Sequence, residues 1–213
     1  MMRILFVCTG NVCRSPLAER LAIAWAHDSL RQSPEREAVI ISSAGTDAGV
    51  GLPMDPRSSE ALTDLGGDPV GFRSRTLTSA LADEADIVLT MTRRQRRDVL
   101  EKAPRGLRRT FTLTEAAELM GSADLAGLKL LPLAQRAREL GLRLAAARSH
   151  RRSRETDDVL DPFGRSLGVH RDVAATIATA LRPVADVLFA SVRPLPAVPV
   201  DDETRDRTVE PVT

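Results

Sequence analysis

The opening stretch Arg3-Ile4-Leu5-Phe6-Val7-Cys8-Thr9-Gly10-Asn11-Val12-Cys13-Arg14-Ser15-Pro16 leaves this chain few folds to choose from. A run of apolar and β-branched residues reaches a cysteine, a short loop with Gly and Asn follows, and Ser-Pro opens a helical pattern. That order predicts strand, anion-cradling loop, helix. Cys8 then stands where the strand ends and Arg14 where the helix begins. A thiol in that place lies beside the partial positive charge of a helix N-terminus and a row of unpaired backbone N–H groups, which favour the thiolate. Arg14 follows Cys8 at a distance that lets the backbone curl round one tetrahedral anion. Its guanidinium fork can hold two oxygens while the loop amides hold the rest. The stretch is suited to phosphoryl transfer onto sulfur.

The remainder of the chain alternates. Leu17, Leu21 and Trp25 fall on one face of a helix running to about Leu30, with Trp25 read as a core residue. Val39 to Ser43 reads as a second strand ending in Ala44-Gly45-Thr46, whose glycine belongs next to the phosphate loop. Residues 47–55 read as a loop, and Pro56 begins a helix that Gly66-Gly67 ends. Asp86 to Met91 is a third strand, short and apolar as a parallel sheet covered on both faces requires. A helix from about Arg93 to Lys102 and a fourth strand around Thr110 to Leu113 follow. The alternation predicts a single three-layer α/β domain over residues 1–192: a four-stranded parallel sheet flanked by helices, with the phosphate loop after the first strand.

Two segments fit that frame less well. After a helix starting over 114–120 the pattern loosens from about 122 to 155, where Gly121, Gly127, Pro132 and Gly141 intervene and Leu140, Leu142 and Leu144 set no period. Ala134 to Ala147 can be helical, but the segment with its basic end His150 to Arg154 reads as a mobile surface insertion. Val169, Val173, Ile177, Leu181, Val184 and Leu188 then mark a long last helix, which Pro183 is expected to bend or divide. Residues 193–213, with their prolines and charged and small residues, read as a disordered tail.

Lys and Arg (30) nearly balance Asp and Glu (29), so net charge demands neither nucleic acid nor an acidic membrane as partner. Both cysteines lie in the opening loop, the wrong place for a disulfide framework and the right one for chemistry in a reducing compartment. A strand begins almost at once, no export segment precedes it, and no stretch approaches the roughly 20 apolar residues of a membrane span. A cytoplasmic protein with no metal or cofactor is expected.

A thiolate attacking phosphorus expels an alkoxide or phenolate, which needs a proton. Asp161 precedes Pro162, which stiffens the loop and holds Asp161 extended, suiting a carboxyl aimed into a site. The same carboxylate can then activate the water that hydrolyses a cysteinyl-phosphate. The plain alternative is an Asp that merely opens a Pro-Phe-Gly turn. Asp157 and Asp158 lie close by, and Asp158 is better suited to bracing the loop. Asn11 tolerates a left-handed backbone and can tie the loop together with its amide. Ser15 can cap the helix beginning at Pro16. Cys13 is either a second thiol that resolves an oxidised Cys8 or an inert small apolar residue.

The stretch Cys8 to Pro16 resembles the signature loop of the low-molecular-weight protein tyrosine phosphatases. The resemblance continues through Ser43 to Thr46, Arg73-Ser74-Arg75, Ala85 to Met91 and Asp161-Pro162-Phe163-Gly164. It implies hydrolysis of phosphotyrosine on a phosphorylated protein substrate, with Cys8 as nucleophile, Arg14 as phosphate clamp and Asp161 as general acid. It further implies that Thr9, Gly10, Asn11, Val12, Cys13, Ser15 and Phe163 contact the substrate, that Ser15 donates to the thiolate, and that Ser43 bonds Asn11. Two positions depart from the family pattern: Phe72 stands where a bracing His is frequent, and Phe163 where a Tyr is. Family members acting on phosphoarginine carry Thr where Val12 stands; apolar Val12 favours phosphotyrosine, while Asp-Pro-Phe-Gly also resembles the arginine phosphatases. Arsenate reductases sharing the loop relay electrons through downstream cysteines, and this chain has none after Cys13. A non-catalytic anion-binding regulatory module, with Arg93 to Arg97 and Arg148 to Arg154 on nucleic acid, is the reading from another class, but those stretches lack an aromatic residue for stacking.

Overall fold

A computed structural model of the chain describes residues 1–149 and 151–190. Four strands, β1 (Met2–Cys8), β2 (Val39–Gly45), β3 (Ile87–Thr90) and β4 (Thr110–Thr112), form one parallel sheet in the order β2-β1-β3-β4. β1 is central, pairing Met2 with Val39 through Cys8 with Gly45 on one side and Ile4 with Ile87 through Val7 with Thr90 on the other. The chain leaves β1 for β2 on one side and later crosses to β3 on the other, so Cys8 ends a strand at the point where the connections reverse. That is where open α/β sheets leave a crevice for a ligand.

The period of two along β1 divides the core. Met2, Ile4, Phe6 and Cys8 face one layer, with Ile87, Leu89 and Phe111 beside them. That layer consists of α1 (Arg14–Ser29), α2 (Pro56–Asp64), α5 (Leu113–Met120), α6 (Leu133–Arg148) and α7 (Leu167–Leu188). Leu5, Val7 and Val88 face the other layer, where α3 (Ser79–Glu84) and α4 (Arg93–Lys102) supply Ala82 and Val99. Full burial of each such aliphatic side chain contributes about 1.5–3 kcal/mol. β4 stops at Thr112, which starts α5 by a capping box with Glu115.

The stretch at 122–155 is corrected by the structure. It is not a surface insertion: α6 lays Leu133, Ala137, Leu140 and Leu144 into the main core. Its period is hidden in the sequence because Leu142 faces outward while the buried side includes a charge, Arg136. Arg136 is 1% exposed; its Nε donates to the Leu131 carbonyl at 2.9 Å and its Nη1 to the carbonyls of Leu188 (3.3 Å) and Ala190. It thus closes the C-terminal end of α7, where a cation also meets the negative end of the helix dipole. Arg136→Met should leave the buried Leu188 carbonyl without this donor at about 1–3 kcal/mol, with smaller costs at the part-buried carbonyls of Leu131 and Ala190. A urea titration should show a clearly lowered midpoint; an unchanged one would deny Arg136 that role.

Pro183 lies inside α7 without dividing it, since Ile177, Leu181, Val184 and Leu188 stay buried on either side of it. The carbonyl it leaves without a donor belongs to exposed Thr179. Trp25 is at the edge of the core, half-buried, with the Arg182 guanidinium 3.7 Å from its ring centre. α3 has no counterpart in the sequence reading. The expected tail at 193–213 lies outside the described residues.

Candidate active site

Between β1 and α1 the loop turns its carbonyls outward. Those of Cys8, Thr9, Val12 and Cys13 accept from the N–H groups of Thr46 (2.9 Å), Asp47 (3.0 Å), Asp55 (2.8 Å) and Leu17 (3.2 Å). The amide edge is thereby turned inward, the arrangement that binds anions. Asn11, at φ +51, is the sole non-glycine residue with positive φ among the described residues, and it makes the turn. Gly45 pairs with Cys8 across the sheet, and a Cβ there would collide with the Thr9 carbonyl and come within 3.0 Å of Asn11 N. The glycine is required by this close approach.

A chain of hydrogen bonds runs through the loop to the sulfur. Ser43 Oγ donates to Glu19 Oε2 at 2.5 Å and accepts from Asn11 Nδ2 at 2.8 Å. Asn11 Nδ2 also donates to Ser15 Oγ (2.9 Å), and Asn11 Oδ1 accepts from the Arg75 N–H (2.8 Å). Ser15 Oγ lies 2.9 Å from Cys8 Sγ, which also accepts from the Asn11 N–H at 3.3 Å. With Asn11 donating to it, the Ser15 hydroxyl is free to donate to sulfur, so charge on Cys8 is met by two donors. Ser15 does not cap α1, which begins at Arg14 after Cys13 with no side-chain cap.

Arg14 is 4% exposed. Its Nη2 donates to Asp161 Oδ2 at 2.6 Å and its Nη1 to the Val159 carbonyl at 3.2 Å, while buried Nε has no partner among the described residues. A buried donor left over on a cation is suited to an anion. Asp161 has a side chain 53% exposed and accepts from the Phe163 N–H at 3.2 Å. Phe163 itself is 68% exposed beside it, and Thr9 and Val12 stand at the mouth with Gly10. Cys13 is buried, and that burial pushes its thiol up to about 12 against a smaller opposing pull from the Ser58 hydroxyl. A neutral thiol is no competitor to Cys8 as nucleophile.

The residues singled out for the chemistry, Cys8, Arg14 and Asp161, therefore gather at one end of the sheet, while Asp157 and Asp158 are held by other cations. Asp157 is held by Arg151 and by the Arg154 N–H at 2.9 Å, and Asp158 by Arg93. Three contributors have no place in the sequence reading: Glu19, the Val159 carbonyl, and Gln95, whose Nε2 donates to Thr9 Oγ1 at 3.0 Å. Glu19 follows Ser15 by one helical turn, the spacing that could have found it. Its carboxyl is raised by burial against opposing pulls from Ser43, Arg20 and Arg75. Phe72 is buried under Arg20, with 5.7 Å from guanidinium to ring centre, so the brace on Asn11 comes from Ser43 and Glu19. The basic stretches are mostly engaged internally: Arg148 pairs with Glu115 over the Phe111 ring, and Arg151 and Arg154 pair with Glu118. No helix among the described residues is long and apolar enough to cross a membrane.

Residues 3–126 match the family model described as low molecular weight phosphotyrosine protein phosphatase. A probable low molecular weight protein-tyrosine-phosphatase, EpsP of Ralstonia solanacearum, is 38% identical over 112 residues, 53% of this chain and 70% of that protein. The protein-arginine-phosphatase of Bacillus subtilis is 30% identical over 189 residues, 88% of this chain and 97% of that one. A solved low molecular weight protein tyrosine phosphatase from T. tengcongensis superposes with a TM-score of 0.61 at 26% identity, covering 87% of this chain and 99% of that one.

Proposed function

The chain belongs to the low molecular weight phosphotyrosine protein phosphatase family, and from that premise we propose that it hydrolyses phosphotyrosine on proteins through a cysteinyl-phosphate. The observation that carries this reading is the single guanidinium of Arg14, rooted in the loop that holds Cys8, bonded to Asp161 and keeping a buried nitrogen in reserve. Phosphate arriving over the loop amides takes the Arg14 fork, and Asp161 is released toward the bridging oxygen. The Cys8 thiolate forms the S–P bond as the P–O bond to the phenol breaks, and Asp161 gives its proton to the leaving oxygen. Water then attacks phosphorus, Asp161 takes its proton, and sulfur leaves as the thiolate that Ser15 and the Asn11 N–H receive. Thr9, Gly10, Val12 and Cys13 complete the cradle, and Phe163 offers an aromatic wall. Hydrolysis of p-nitrophenyl phosphate by purified protein tests the reading; no turnover would leave an anion-binding module.

A second reading, action on phosphoarginine, is favoured by the near full-length match to the Bacillus subtilis protein-arginine-phosphatase. Val12 decides between them. It is half-buried at the mouth, an apolar surface that offers a guanidinium no acceptor. Val12→Thr adds a hydroxyl at nearly constant volume and should raise phosphoarginine turnover relative to phosphotyrosine by roughly 10-fold. Wild-type protein that already prefers phosphoarginine would reverse the assignment. Two free cysteines, both buried in the site, support a reducing compartment such as the cytoplasm.

A further inference from the structure

Asp161 must hold its carboxyl against the leaving oxygen, yet its own side chain is half exposed. Leu160 and Phe163 are exposed, and among residues 158–163 only Val159 and Pro162 are buried. Catalytic groups tolerate small misplacement only, and a shift of about 1 Å can cost 10²-fold. Burial of Val159 and Pro162 holds the backbone on either side of Asp161 but leaves the direction of its exposed carboxyl to other contacts.

The N-terminal turn of α4 supplies such contacts to this loop. The Asp158 carboxylate accepts three bonds from Arg93: from its N–H at 2.7 Å, its Nε at 3.2 Å and its Nη2 at 3.2 Å. Arg93 is the first residue of α4, so the carboxylate also meets the positive end of that helix. Two residues on, in the same turn, Gln95 accepts from the Met91 N–H at 3.1 Å and donates to Thr9 in the phosphate loop. The Met91 carbonyl accepts from the Val159 N–H at 2.8 Å. A single helical turn thus grips the phosphate loop with one side chain and the loop of Asp161 with another, three residues before the acid.

We propose that Asp158 and Arg93 are positioning residues that fix Asp161 relative to Cys8 through the first turn of α4. As an ordinary ion pair it would matter little, since both side chains are about a third exposed, 34% and 35%. Its fork geometry and the added backbone bond define a direction, and direction is what proton donation needs. The proposal rests on Asp161 being the proton donor.

The test measures single-turnover phosphorylation of the enzyme by phenyl phosphate, whose leaving group is a strong base, and by p-nitrophenyl phosphate, whose leaving group departs with little help. Asp158→Asn and Arg93→Met should slow the first by about 10-fold or more and the second by about 2-fold or less. Inorganic phosphate should inhibit as in the wild type. In an Asp161→Asn background Asp158→Asn should add nothing, because a misplaced donor and an absent one are equivalent. Arg93→Lys, which keeps the charge but not the fork, should fall between the wild type and Arg93→Met. Equal slowing of both substrates, or additivity with Asp161→Asn, overturns the anchor. If Asp161→Asn depends on the leaving group and Asp158→Asn does not, the anchor alone fails; if neither depends on it, the assignment of Asp161 fails and the anchor with it.

Discussion

Cys8→Ser is expected to lower turnover by on the order of 10⁶, the scale seen when a covalent nucleophile is removed, while inorganic phosphate still binds within a few-fold of the wild type. A serine hydroxyl is a far weaker nucleophile at neutral pH, and the site holds no side chain placed to activate one: Ser15 is committed as a donor by the Asn11 amide. The binding apparatus is left standing. The loop carbonyls remain tied to Thr46, Asp47, Asp55 and Leu17, and Arg14 keeps its seat on the Val159 carbonyl. Arg14→Ala is the contrasting variant and should lose binding as well as turnover, since the remaining amides cannot neutralise a dianion. Calorimetric titration with phosphate, set beside p-nitrophenyl phosphate hydrolysis, separates the two variants. Appreciable turnover by Cys8→Ser would end the cysteinyl-phosphate mechanism.

Asp161→Asn should slow phosphorylation by phenyl phosphate about 10²–10⁴-fold, the usual worth of a positioned general acid, and slow activated aryl phosphates much less. The substitution suits the question because Asn Oδ1 can still accept from Arg14 Nη2, the bond that holds the wild-type carboxyl at 2.6 Å. Loop geometry is kept while the transferable proton is lost. Burst kinetics are needed because hydrolysis of the intermediate also loses its base, and that step can limit steady turnover for activated substrates. Equal slowing of good and poor leaving groups in the burst would move the proton elsewhere. Asp158 is poorly placed to take over, with its carboxylate held by three bonds from Arg93.

The sheet was legible because its signals are local. Each strand is an apolar run whose length and flanking turns suffice to mark it, and the four runs near residues 3, 39, 86 and 110 all became strands. The helix α6 is allowed for at Ala134 to Ala147, but its place in the core is hidden because its buried stripe carries Arg136 in place of an apolar residue. That charge is tolerable only when the carbonyls of Leu131, Leu188 and Ala190 are brought to it, which no window of sequence around residue 136 displays. Local propensity leaves α7 either bent or divided at Pro183, and tertiary burial of the residues around it carries the helix through undivided.

The site divides along the same line. By itself the sequence determined the loop: Cys8 ends an apolar strand, Asn11 lies in the short turn, and Arg14 and Ser15 open a helix, so their order between strand and helix sets them round one cradle, and Gly45 follows from a strand that ends beside it. Only the tertiary structure decided which carboxylate meets Arg14, that Glu19 stands behind Ser43, and that α4 links Thr9 to Asp158. Asp157, Asp158 and Asp161 have the same chemistry and nearly the same address in the chain. What separates them is which cation lies opposite: Arg151, Arg93 or Arg14, brought there from three different elements by the packing of helices on the sheet. Contacts spanning up to 147 residues depend on that packing, and a local pattern of apolar and polar residues specifies the faces that pack but not the side chains that come to oppose one another across them.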